Sequence, residues 1–247
     1  MSRHVVITGA SSGIGAACAR SFHSLGYRLS LGARRVEELM TVVDGASCHF
    51  LDVTQPESIE EFLDHAESIH GPIDVLINNA GLARGTEKIH DATGEAWREM
   101  IETNLIGVLE VTRRVLPKMV HRKQGDIVMI GSIAGHKSYA GGGVYCASKR
   151  ALQSVCEAIR TETNGSNVRV ISVDPGMVQT DFALVRYRGD QEKAAKVYEQ
   201  TRPLQADDVA DCVTFAVTRP AYVNVETLVL MPTDQANPQT LHRGGGQ

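Results

Sequence analysis

Short β-branched runs alternate with longer amphipathic stretches along the whole chain, and this constrains the fold more than any other feature. Strand candidates are Val5–Thr8, Leu29–Ala33, Cys48–Leu51, Val75–Asn78, Asp126–Gly131, Arg169–Val173 and Thr227–Met231. Helix candidates lie near Gly13–Leu25, Val36–Val43, Glu57–Ile69, Glu95–Val120, Val144–Thr163 and Ala206–Thr218. Such alternation implies a parallel sheet with helices on both faces. Asp126–Gly131 is continuously apolar inside, as a strand covered on both sides requires. Thr54-Gln55-Pro56-Glu57 reads as a capping box opening the third helix. Pro117, late in the long fourth helix, marks its bend or end. No linker-like composition splits the 247 residues, a length that α/β proteins use as one domain.

Composition narrows the function classes. Lys plus Arg total 25 against 29 Asp plus Glu, and no block of like charge stands out, so no nucleic-acid surface is expected. The longest stretch free of charged residues, His4 to Ala19, is 16 residues long and rich in Gly and Ser, too short and too polar to span a bilayer. The N-terminus runs into Val5-Val6-Ile7 without a basic-then-apolar secretion signal. Cys18, Cys48, Cys146, Cys156 and Cys212 are odd in number and lack CxxC spacing. A disulfide framework and a zinc site are therefore disfavoured, and a reducing cytoplasm fits. The nine His residues form no HxxxH or HxH pair, so no metal site is expected.

Thr8-Gly9-Ala10-Ser11-Ser12-Gly13-Ile14-Gly15 follows the first strand and opens the first helix. Glycines permit a tight turn and let backbone N–H groups approach a pyrophosphate, which the helix N-terminus then favours. The second strand ends in Gly32-Ala33-Arg34-Arg35, where an NAD enzyme places a carboxylate for the ribose 2′-hydroxyl. Two guanidinium groups stand there instead, and Arg suits a 2′-phosphate. The expected cofactor is NADP.

Tyr145 and Lys149 lie one helical turn apart on one face. An ammonium beside a phenol favours the phenolate, which would let Tyr145 exchange protons near neutral pH. Ser132 ends the fifth strand about a dozen residues earlier. In an open α/β sheet, ligands bind beyond the carboxyl ends of the strands, so Ser132 lies where nicotinamide and substrate should meet. Cys146 points about 100° away from Tyr145 on a helix and reads as packing. Trp97 reads as a core or interface residue.

TGASSGIG, Asn78-Asn79-Ala80-Gly81, Ser132, YCASK and Pro175-Gly176 together resemble the short-chain dehydrogenase/reductase family, in order and over essentially the whole chain. The resemblance implies a single Rossmann-type domain with a doubly wound, seven-stranded parallel sheet. Its nucleotide-binding half would span about 1–130, its catalytic and substrate-lid half about 131–232, and a C-terminal tail 233–247. Asn104 matches the Asn that holds a proton-relay water near the lysine. Ser132 would bind the substrate oxygen, Tyr145 would be the acid/base, and Lys149 would bind the nicotinamide ribose and lower the Tyr145 pKa. Asp52 and Val53 match the pair beside the adenine. Asn79, Ala80 and Gly81 match the loop beneath the adenine ribose, and Pro175, Gly176, Val178 and Thr180 belong to the segment around the nicotinamide and pyrophosphate. The resemblance also implies a homotetramer, built partly from the Glu95–Val120 and Val144–Thr163 helices.

Asn79–Gly85, Tyr139–Gly142, Val185–Asp190, Val223–Val225 and Leu230–Pro232 are similar to a bacterial and fungal branch of NADP-dependent serine/3-hydroxy acid dehydrogenases. Members oxidise L-allo-threonine, serine and 3-hydroxyisobutyrate, or reduce malonic semialdehyde. Close relatives reduce sulfoacetaldehyde to isethionate. The favoured expectation is a reductase/dehydrogenase for a small anionic 3-hydroxy acid or semialdehyde. A sulfoacetaldehyde reductase, a reductase of bulkier neutral ketones such as hydroxysteroids, and a nucleotide-sensing regulator without turnover are the alternatives. An anion needs a cation, and the lid segment after Pro175-Gly176 holds Arg186, Arg188 and Arg202. Arg186 is the first candidate, with Arg188, His136 and Tyr139 as further substrate-binding candidates. Arg243 is a candidate for reaching a partner subunit's pocket.

Overall fold

The computed structural model describes residues 2–244, so Gly245 and Gly246 of the glycine run and the last residues of the tail lie outside the description. In chain order the elements are β1 (His4–Thr8), α1 (Gly13–Ser24), β2 (Arg28–Ala33), α2 (Val36–Leu39), β3 (Ser47–Phe50), α3 (Pro56–His70), β4 (Val75–Asn78) and α4 (Gly94–Ile101). A π-turn over Glu102–Ile106 leads into α5 (Gly107–Arg122), then β5 (Gly125–Ile130), α6 (Ile133–His136), α7 (Gly143–Glu162) and β6 (Val168–Pro175). The chain ends with β7 (Val178–Gln179), α8 (Phe182–Arg186), α9 (Gln191–Tyr198), β8 (Leu204–Gln205), α10 (Ala206–Val217) and β9 (Thr227–Leu230).

Seven strands form one sheet in the order β3-β2-β1-β4-β5-β6-β9, every pair parallel. The seven strand candidates are these seven strands, within a few residues at their ends. Successive side chains of a strand point to opposite faces. Accordingly Val5 and Ile7 of β1 enter the core beneath α1 and α10, and Val6 enters the core beneath α3, α5 and α7. Both faces are apolar because both are covered, which is why the strands read as continuous apolar runs.

The structure differs from expectation at three of the expected helices. The third opens at Gln55 with Pro56 in its first turn and no side-chain cap, because Thr54 is taken by Asp52, whose Oδ1 accepts from the Thr54 N–H and hydroxyl. Pro56 suits that place, since its missing N–H has no partner there anyway. The second helix stops at Leu39. The long fourth helix is interrupted by the π-turn, and α5 runs through Pro117 to Arg122, so Pro117 does not end it. Helices α6, α8 and α9 and the β7–β8 pair, two to eight residues each, are too short for an apolar period to be read from sequence.

Candidate active site

The strand order reverses between β1 and β4, and crevices in open α/β sheets lie at such points, beyond the strands' carboxyl ends. A cleft of about 320 Å³ occupies this place and runs from the turn after β1 to Ser132 and Tyr145. Gly9 has φ +66°, and a Cβ on it would lie 2.8 Å from Ala80 Cα, so only glycine lets the turn sit against the loop after β4. Ser11, Ser12, Gly13 and Ile14 line the cleft beside it. Ser12 caps α1 without a side-chain cap bond, which leaves the first-turn N–H groups of α1 for an anion.

Thr8 and Gly15 are buried and do not line the cleft, contrary to expectation. Thr8 Oγ1 accepts from the backbone N–H groups of Asn79 and Ala80 at 3.1 and 3.0 Å. The Asn79 amide donates back to the Thr8 and Gly9 carbonyls at 2.9 Å each. Thr8 thus fixes the shape of the turn, because a buried hydroxyl at a strand end takes the nearest free donors.

Arg34 and Arg35 line the cleft where β2 ends. Arg35 donates to Ser11 Oγ and Ser12 Oγ at 3.2 and 3.0 Å and pairs with Glu38 at 3.1 Å. The guanidinium therefore lies over the glycine turn. Asp52, Val53, Asn79, Ala80 and Gly81 line another stretch of wall, and Pro175, Gly176, Val178 and Thr180 a third.

Ser132 ends β5 and caps α6, its Oγ accepting from the Ala134 N–H at 3.1 Å. Tyr145 and Lys149, both buried on α7, line the cleft with it. Burial pushes the Tyr145 phenol up to about 12, opposed by the Arg186 cation and by hydrogen bonding with Ser132. Burial brings Lys149 down to about 8, opposed by the Asp174 carboxylate. Lys149 Nζ donates to the Ile130 carbonyl at 2.8 Å. Lys149, expected to lower the Tyr145 pKa, is not among the groups that shift it here. The lysine turns to a backbone carbonyl, and the cation facing the phenol ring is Arg186, at 5.2 Å from its centroid.

Asn104 lies in the π-turn, fully buried. Its Oδ1 accepts from the Leu82 N–H at 2.8 Å, and its Nδ2 donates to the Leu82 carbonyl and Ser148 Oγ at 2.8 and 3.1 Å. The side chain is thus committed to protein partners on the loop after β4 and on α7. Gly81 keeps this corner close, since a Cβ there would lie 3.2 Å from Asn104 Oδ1 and 3.5 Å from Lys149 Nζ.

The substrate candidates separate. Arg186 comes in: its guanidinium lies 5.2 Å from both the Tyr145 and Phe182 ring centroids and donates to Tyr139 Oη at 3.1 Å. Its Nε is buried without a partner among the described residues. Tyr139 thus acts on Arg186 and does not line the main cleft. His136 is corrected: its Nε2 bonds Asp174 Oδ2 at 2.6 Å, because that fully buried carboxylate needs donors and also takes the Ser172 hydroxyl at 2.7 Å. Arg188 is corrected too. It is exposed at φ +52°, outside the cleft, in the turn that ends α8. Arg202 is bound to Asp234 at 2.8 Å, and Arg243 donates to the Lys196, Val197 and Glu199 carbonyls at the end of α9. Trp97 packs in the small apolar cluster around Tyr145, and Cys146 is buried there.

Three residues with a part in this site drew no expectation. Phe182 lines the cleft with its ring 5.6 Å from that of Tyr145. Asp174 lies beneath Gly131 and acts on Lys149. Arg84 ties the loop after β4 to α8. Asp174 left a sequence signal, a carboxylate directly after the Arg169–Val173 strand candidate, and Arg84 falls within the Asn79–Gly85 stretch.

Residues 3–221 match the family model described as short chain dehydrogenase. The chain belongs to the short-chain dehydrogenase family. It is 42% identical over 237 residues to the NADP-dependent 3-hydroxy acid dehydrogenase YdfG of Salmonella typhi, covering 94% of this chain and 96% of that one. It is 40% identical over 243 residues to sulfoacetaldehyde reductase 2 of Chromohalobacter salexigens, covering 96% of each. Among solved structures, the closed form of a serine dehydrogenase complexed with NADP+ superposes with a TM-score of 0.92 at 41% identity, covering 94% of this chain and 96% of that one. This dehydrogenase therefore shares both the fold and nearly the full length of these relatives.

Proposed function

We propose that this dehydrogenase is an NADP(H)-dependent oxidoreductase for a small anionic 3-hydroxy acid or semialdehyde, with Tyr145 as acid/base. The observation that carries the reading is the Arg186 guanidinium, which faces Tyr145 and pairs with no carboxylate among the described residues. The relatives named for 3-hydroxy acids, serine and sulfoacetaldehyde support a small polar substrate.

The cleft fits the cofactor. The tight turn at Gly9, the uncapped start of α1 and two arginines at the end of β2 match a pyrophosphate and a 2′-phosphate. When bound, the nicotinamide supplies or accepts the hydride. The chain's residues do the rest. Ser132 donates to the substrate oxygen, and Tyr145 gives that oxygen a proton in reduction and takes it back in oxidation. Lys149, one turn along α7, binds the cofactor ribose and offers positive charge, while Asp174 opposes its loss of a proton. Asn104 keeps the loop after β4 against α7. Arg186 takes the substrate's anionic end.

In this reading residues of about 1–130 serve the nucleotide and about 131–232 the chemistry and lid. Assembly as a homotetramer is part of the proposal, supported by Ile106, at the end of the π-turn, and Leu109, in the first turn of α5, both exposed apolar residues. A cytoplasmic setting is supported by five free cysteines. Among the described residues no helix is long and apolar enough to cross a membrane.

The test compares NADPH consumption with malonic semialdehyde, sulfoacetaldehyde and a neutral aldehyde of similar size, and NADP reduction with L-allo-threonine. The reading expects the highest kcat/KM on a carboxylate or sulfonate. A neutral aldehyde turned over as well as the anions overturns it.

A further inference from the structure

We propose that Arg84 is a positioning residue that clamps the lid helix α8, so that Arg186 stays against Tyr145. The proposal rests on the reading that Arg186 receives the substrate anion. Helix α8 has only five residues, too few to hold a position by its own hydrogen bonds. Its place is set by what touches it, and its last carbonyls need donors. Two adjacent residues of the loop after β4 supply them. Arg84 Nη1 donates to the Val185 carbonyl at 2.5 Å, and the Gly85 N–H donates to the Arg186 carbonyl at 3.0 Å.

Arg84 is itself held. Its Nε donates to Glu99 Oε2 at 2.7 Å and its Nη2 to Glu99 Oε1, a two-pronged pair with a carboxylate on α4. Hydrogen bonding from Arg84 holds the Glu99 carboxyl below its usual range. Such forks fix the guanidinium plane as well as its position. The chain of contacts runs from α4 through Glu99 and Arg84 to the backbone of Val185, one residue before Arg186. With the fork spent on Glu99 and Nη1 on Val185, Arg84 is committed to the protein and is not itself an anion receptor. Arg186, in contrast, is fixed by one phenol hydroxyl and two aromatic faces. A shift of α8 therefore moves the Arg186 guanidinium relative to Tyr145.

The test uses Arg84→Ala, and Glu99→Ala in case the first variant folds poorly. Amide exchange of Tyr187 and Gly189, whose N–H groups bond the Ala183 and Leu184 carbonyls, should speed up at least about tenfold, with the amides of β4 and β5 unchanged. In the same variants KM for an anionic substrate should rise about tenfold, with KM for a neutral aldehyde, kcat and the NADP Kd within about threefold. Arg84→Lys, which keeps the charge but not the fork, should recover part of both effects. Unchanged exchange in both alanine variants overturns the clamp. Equal rises in KM for the two substrates, while Arg186→Ala remains charge-selective, also overturn it. If Arg186→Ala shows no charge selectivity, the anion reading fails, and the exchange result alone decides the clamp.

Discussion

Arg186 and Tyr145 face one another, the guanidinium carbon 5.2 Å from the centre of the phenol ring. The guanidinium is flanked by a second ring, Phe182, at the same distance. A guanidinium over an aromatic face is worth about 0.5–1 kcal/mol, and more when desolvated. That attraction holds Arg186 without using its N–H donors, of which, among the described residues, only one reaches a protein acceptor, Tyr139 Oη. A cation with spare donors beside the acid/base candidate is suited to an anion attached to the reacting carbon chain.

Arg186→Ala is accordingly expected to raise KM for a carboxylate or sulfonate substrate by about 10- to 100-fold, the loss of one charge-assisted fork. A neutral aldehyde of similar size should be affected about threefold or less. Steady-state kinetics on the two substrates checks this. Equal effects would mean that Arg186 only shapes the lid.

Cofactor choice rests on Arg34 and Arg35, since no carboxylate occupies the end of β2. Preference for NADPH over NADH should be at least about tenfold, or about 1.4 kcal/mol. Replacing both arginines by Ala should erase it. Arg35 also holds Ser11 and Ser12, so Arg35→Ala alone should weaken both cofactors somewhat. A lower KM for NADH in the unaltered protein would sink this assignment.

The sheet and the nucleotide cleft were legible in the sequence because both obey local rules. Strands covered on two faces are short apolar runs, and a phosphate-binding turn needs glycine at fixed offsets. The chemical residues were legible as a motif, but their partners were not. Nothing in YCASK says that Lys149 turns to the Ile130 carbonyl, and nothing around His136 says that it bonds a buried Asp174 on β6. Such pairings depend on which unsatisfied group the fold brings nearest. The lid was the least legible part. Its helices are five and eight residues long, and what fixes α8 is an arginine about 100 positions earlier in the chain.

Acid stability is expected to depend on His4. It is fully buried, with Nδ1 2.9 Å from the Gly71 carbonyl and Nε2 2.9 Å from Ser30 Oγ. Burial lowers its pKa to about 4. Between about 4 and the unfolded value near 6.5, the unfolded chain binds the extra proton, so stability rises with pH. The full contribution, about 3 kcal/mol, is present above about pH 6.5 and is lost as pH falls through about 4. Urea midpoints at pH 5 and 7.5 should differ for the unaltered protein. They should differ less for His4→Asn, which keeps a donor toward Gly71. The same pH slope in both proteins would assign the acid sensitivity to other groups.

The last prediction concerns the direction of proton transfer. With burial holding Tyr145 at about 12 and Lys149 at about 8, the neutral-pH state pairs a phenol with an ammonium. That state is ready to donate a proton, so reduction should be flat from about pH 6 to 8 and fall above, as Lys149 loses its charge. Oxidation needs the phenolate together with the ammonium. Its rate should rise about tenfold per pH unit up to about 8 and then level off, because gain of phenolate and loss of ammonium cancel. Tyr145→Phe keeps the ring against Phe182 but removes the exchangeable proton. It should cost at least about 100-fold in kcat in both directions, leave the NADP Kd within about threefold, and abolish the oxidative rise. Lys149→Ala should weaken activity and cofactor binding together, since it serves both. Oxidation that is flat with pH in the unaltered enzyme, or near-normal turnover in Tyr145→Phe, would remove Tyr145 from the acid/base role and leave its hydroxyl a packing group beside Ser132.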